Sequence, residues 1–87
     1  MPVNPKPLNL VPLRNRVLAW LDARPLEHAM LRQRLACQGA RYAYTQLVRD
    51  ACRGDAIAAA YEDDLAAMVR AAVRARRKLA TAPGWAA

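Results

Sequence analysis

The chain has 87 residues, a formal charge of +7 and 55% apolar residues. It is one small domain, too apolar for a disordered polypeptide and without the run of about 18 apolar residues that a bilayer span needs. Two cysteines 15 positions apart make no disulfide framework, and Met1 to Pro7 has no secretory-type apolar stretch, so a cytoplasmic protein with no membrane contact is expected.

Residues 1–11 carry Pro2, Pro5 and Pro7, each of which forbids a helix interior and pushes its predecessor toward extended backbone. An extended, proline-rich arm is predicted, docked on the body through Leu8, Leu10 and Val11. The remainder, about 12–82, reads as an all-α domain because Ala, Leu and Arg dominate and no stretch alternates apolar and polar residues in strand fashion. Proline and glycine divide it into a bundle of four helices.

The first helix is predicted over about 12–23, with Pro12 at its start and Leu13, Val17, Leu18, Trp20 and Leu21 inward. The second spans about 25–38. Pro25 and Glu27 suit its first turn, Leu26, Met30, Leu31 and Leu35 repeat at helical spacing, and Gly39 is placed to end it at positive φ. The third spans about 41–53, where Tyr44, Leu47, Val48 and Ala51 give the i, i+3, i+4, i+7 pattern, and Gly54 ends it. The fourth and longest spans about 56–80. Asp55 is its N-cap, and Ile57, Tyr61, Leu65, Met68, Val69, Ala72 and Leu79 form one stripe. Thr81 to Gly84 stops it, and residues 83–87 form a short tail in which Trp85 folds back or anchors a partner.

Catalysis is the class most easily set aside. There is no serine, and His28 is the single histidine, placed on a polar face beside Arg32. Cys37 and Cys52 read as small buried hydrophobes on Ala- and Leu-rich helices. These three residues have no zinc-type spacing, and Asp63 and Asp64 diverge by about 100° on a helix, so no metal or cofactor is expected.

The binding features stand out more. Helices two and three, joined at Gly39-Ala40, have the outline of a helix-turn-helix, in which the N-terminal residues of the second helix meet base edges. Arg41, Thr45 and Arg49 share one face of the third helix, flanked by Tyr42, Gln46 and Arg53, while the apolar residues point the other way. Arg and Gln suit bidentate contact with guanine and adenine. The spacing of small and apolar residues about Gly39 departs from the usual pattern, and a solvated Arg-bearing face explains the same residues.

The fourth helix carries a second basic set, Arg70, Arg74, Arg77 and Lys78, suited to phosphate or to an acidic partner. Acids near its N-terminus and bases near its C-terminus are also what the helix dipole favours. Among the aromatics, Trp20, Tyr44 and Tyr61 are expected in the core. Residues 1–54 carry nine basic and three acidic residues against five and four in residues 55–87, which locates the excess charge in the first three helices. Arg and Ala also rise together in GC-rich coding sequence, so the charge alone is a weak pointer.

Two functions follow as expectations, both non-enzymatic. The leading one is a DNA-binding regulator that uses helices two and three. The other is an inhibitor, adaptor or subunit, of the kind phages and mobile elements encode, docked on the acidic surface of a larger protein. A homodimer through the Ala-rich fourth helix would serve either.

Overall fold

A computed structural model describes residues 8–80, with the backbone alone for Leu79 and Ala80. Among the described residues there are five helices and no strand. They are α1 (Val11–Asp22), α2 (Pro25–Gln38), α3 (Ala40–Ala51), α4 (Ala56–Ala60) and α5 (Glu62–Ala80). The all-α class expected from the sequence is the class observed.

Local chemistry sets most boundaries. Asn9 Oδ1 accepts the Val11 N–H at 3.1 Å, and Pro12 sits in the first turn of α1, where its missing donor costs nothing. Arg24 precedes Pro25 and is driven to extended backbone (φ −130°, ψ 91°), which breaks α1 from α2. Gly39 alone separates α2 from α3 at φ 92°, ψ 166°, a region essentially reserved for glycine. Asp55 caps α4 by accepting the Ala58 N–H at 2.9 Å.

Helix α3 is the centre of the molecule. It packs against α1, α2, α4 and α5, most extensively against α5. Ala43, Tyr44, Leu47, Val48 and Ala51 are buried along it, where they meet Val17, Leu18 and Leu21 of α1, Leu31 of α2, and Leu65, Ala66 and Val69 of α5. Each fully buried Val or Leu contributes roughly 1.5–3 kcal/mol before entropy is charged against it. Ion pairs between distant parts of the chain add to this packing, among them Arg76 to Asp22 at 2.9 Å, Arg16 to Asp55 at 3.4 Å and Arg34 to Asp50 at 3.5 Å.

Several expectations are corrected. The single helix over 56–80 is broken at Tyr61, whose backbone (φ −115°, ψ 29°) leaves the helical well. The break places Glu62, Asp63 and Asp64 in the first turn of α5, facing the positive end of its dipole instead of lying mid-helix. With the phase changed, Ile57 and Tyr61 are exposed, and Ala58 is the residue of α4 that enters the core. Tyr61 is therefore not a core aromatic.

On α2, Leu31 is buried, but Leu26 is 80% exposed and Met30 also faces out. The α2 face turned to α3 is narrower than the apolar stripe drawn from spacing. Cys37 lies on that outward side and is exposed, whereas Cys52 is buried as expected. Helix α1 begins one residue early, at Val11, so that Val11 is not part of an arm. Helix α3 spans Ala40–Ala51, so Arg53 lies beyond it in the turn that ends at Gly54 (φ 85°). Leu10 docks in the core and Leu8 does not. The proline-rich segment before Leu8, the stop at Thr81 to Gly84, the tail with Trp85 and the Leu79 side chain lie outside the described residues.

Candidate functional site

The first basic set sits on the outer side of α3. Arg41, Tyr42, Thr45, Gln46 and Arg49 line one shallow hollow of about 330 Å³, so the residues singled out from sequence do stand together. Arg41, Tyr42 and Arg49 are exposed, and Thr45 and Gln46 are half-buried. Gln46 Nε2 donates to the Tyr42 hydroxyl at 3.4 Å. Arg53 is not part of this hollow.

The same hollow contains Glu62 and Asp63. Arg49 donates from Nε to Glu62 Oε2 at 2.8 Å and from Nη2 to Oε1 at 2.9 Å, a bidentate fork. That hydrogen bonding and the charge of Glu62 hold the Arg49 guanidinium protonated even more firmly than usual. Arg41 reaches Asp63 at 3.7 Å, and Arg53 reaches Asp50, three residues before it, also at 3.7 Å. All three α3-side arginines proposed to read bases are thus matched to carboxylates within the fold. Sequence reasoning missed Glu62 and Asp63 as members of this surface. Their signal was the run of three acids after Tyr61, which marks a second helix start and aims two carboxylates back at α3.

The second basic set divides between two clefts. Arg70 and Arg74, one helical turn apart, wall a groove of about 460 Å³ between α3 and α5. Its floor is Ala40 and Tyr44 of α3 with Ala66, Ala67 and Ala71 of α5, and the Arg41–Asp63 pair closes one end. Neither Arg70 nor Arg74 forms an ion pair with a carboxylate among the described residues. Arg77 turns to the other side. There, with His28, Arg32 and Arg76, it lines a hollow of about 250 Å³ floored by Leu21, Leu31 and Val73. Lys78 is exposed near the end of α5.

Tyr44 links the two parts of the α5 set. It is only 3% exposed, and burial raises its phenol pKa above the ordinary value, opposed by the nearby charges of Arg77, Arg70 and Arg74. Tyr44 on the floor of the groove therefore lies within reach of three arginine charges, a field that favours a bound carboxylate or phosphate.

No group of three or more His, Cys, Asp or Glu side chains converges as a metal site among the described residues. His28 lies 3.8 Å from Asp22, itself held by Arg76, and no nucleophile stands beside it among the ion pairs and hydrogen bonds described. No described helix is long and apolar enough to cross a membrane. Comparison with protein-family models, curated proteins and solved structures gives no match for this chain.

Proposed function

We propose that this chain is a non-enzymatic binding module that docks on an acidic surface of a larger protein through the α5 side of the molecule. One observation carries the reading. Arg41, Arg49 and Arg53, which base readout would need, are each paired with a carboxylate, whereas Arg70 and Arg74 stand over an apolar groove without such a partner among the described residues.

Acids beside the arginines weaken phosphate binding on the α3 side, because phosphates repel Glu62 and Asp63 while they attract Arg41 and Arg49. A protein interface favours an apolar centre with arginine at its edge, which is the composition of the α3–α5 groove. Ala66, Ala67 and Ala71 let a partner backbone approach closely.

The test is binding of the full chain to labelled poly-glutamate and to labelled random duplex DNA over about 50–200 mM salt. Arg70→Ala with Arg74→Ala is expected to weaken poly-glutamate binding several-fold, and Arg41→Ala with Arg49→Ala to leave it within about twofold. DNA bound more tightly than poly-glutamate, and released by the Arg41/Arg49 pair of changes, would overturn the reading in favour of a DNA-binding regulator.

A further inference from the structure

We infer that the α3–α5 groove receives a single acidic amphipathic helix of the partner protein, seated antiparallel to α5. The inference rests on the acidic-partner reading above and adds the shape, spacing and direction of what binds.

The shape follows from the groove. It is a trough between two packed helices, and a third helix fits such a trough when the floor residues are small enough for axes to approach within about 8–10 Å. Ala40, Ala66, Ala67 and Ala71 supply most of that floor, beside the buried ring of Tyr44.

The spacing follows from the wall. Arg70 and Arg74 are four residues apart on α5, about 6 Å along its axis. Carboxylates at i and i+3 or i+4 of a partner helix repeat at the same interval. Both arginines are exposed and lack a carboxylate partner among the described residues, and a partner's carboxylates supply the charge complement.

The direction follows from the ends. The end of the groove nearer the N-terminus of α5 holds the Arg41–Asp63 pair, whose charges offset each other, so the net positive charge lies at Arg70 and Arg74 and draws acids of the occupant toward that end. Acids are best tolerated in the first turn of a helix. An occupant whose acids lie in its first turn thus starts near Arg74 and ends near Asp63, which is antiparallel to α5.

Three end-capped synthetic peptides test this against the full chain. The first is helical, with two Glu four apart in its first turns and Ala and Leu on one face. The second has the same composition in shuffled order, and the third has Lys in place of Glu. The patterned peptide is expected to bind at least about tenfold more tightly than the shuffled one. It should shift the amide resonances of Thr45, Ala67 and Ala71. Arg70→Glu with Arg74→Glu should abolish its binding and create binding of the Lys peptide. Ala67→Trp, at an exposed position whose change spares the core, should block binding with the charges intact.

Equal binding of patterned and shuffled peptides, both lost in the charge-reversed variant, overturns the helix and leaves the acidic-partner reading standing. Binding that survives Ala67→Trp also overturns the groove as the seat. Duplex DNA or anionic vesicles bound in preference to both acidic peptides overturns the inference and the function on which it rests.

Discussion

Arg49 and Glu62 are joined by two parallel hydrogen bonds of 2.8 and 2.9 Å that cross from α3 to the first turn of α5. Glu62 is the more enclosed partner, with a fifth of its side chain exposed against 58% for Arg49. The fork fixes where α5 starts relative to α3 and occupies the cation that a groove-reading helix would need free.

Glu62→Gln removes the charge and half the fork. The urea midpoint is expected to fall, and so is that of Arg49→Ala. The double variant should be less destabilised than the two single changes added together, because both break the same contact. Duplex DNA should be bound more tightly at low salt by Glu62→Gln with Asp63→Asn than by the unaltered chain, since Arg41 and Arg49 are then released. Unchanged DNA binding would mean that Glu62 and Asp63 do not restrain those arginines.

Gly39→Ala tests a backbone requirement in isolation. A Cβ at Gly39 meets nothing within 4 Å, so crowding plays no part. At φ 92° and ψ 166° the alanine is strained by about 1–3 kcal/mol, readable in a urea or thermal unfolding curve. Full stability in the variant would show that the α2–α3 joint has another conformation open to it.

Leu47→Ala opens a cavity at the middle of α3 and is expected to remove about 2–5 kcal/mol. A small domain has a net stability of about 5–15 kcal/mol, so that variant should lose a large share of it and unfold at a clearly lower urea midpoint followed by circular dichroism. Asp55→Ala strips the cap of α4 and should cost about 0.5–2 kcal/mol, leaving the protein folded.

Tyr44 makes stability fall at alkaline pH. Its folded pKa is raised by burial, so the folded state keeps the phenol proton that the unfolded chain releases near its ordinary value of about 10. The contribution is complete below that value and is lost as pH rises through the folded pKa. Urea midpoints measured from about pH 8 to 11 should decline more steeply for the unaltered chain than for Tyr44→Phe. Replacing Arg70 and Arg74 with Gln removes charges that lower this pKa and should push the phenol's titration further up.

The two cysteines should differ in reactivity toward a thiol reagent. Cys37 is exposed and reacts in a fast phase that Cys37→Ser abolishes. Cys52 is buried, and its pKa is raised by that burial, so it reacts on the slower timescale of opening. Two equally fast thiols would contradict the packing of Cys52 against the core.

The sequence was most legible where a single local rule decides. The proline starts of α1 and α2, the positive φ at Gly39 and Gly54, the Asp55 cap and the inward face of α3 all follow from one residue type or one period. It was least legible where two effects compete. Ala-rich α4 and α5 read as one helix because alanine raises no objection to any phase, so the break at Tyr61 is marked only by the acids after it. Helix spacing also placed Leu26 and Met30 inward, yet α2 meets the body along a narrow strip. In the candidate site, the shared face of Arg41, Thr45 and Arg49 was readable from a period of four. Their carboxylate partners were not, because Glu62 and Asp63 lie 13 or more residues away and reach α3 through the fold.

The break at Tyr61 also divides the molecule in time. Helix α4 has five residues, buries only Ala58, and is held by the Asp55 cap and its ion pair to Arg16. So short a helix gains little from its own hydrogen bonds and can open as a separate unit while Leu65 and Val69 keep α5 seated on α3. In hydrogen exchange, the amides of Ala59 and Tyr61 should trade their protons well before those of Val69. A protease that nicks the chain between Asp55 and Tyr61 would find its substrate in that opened form.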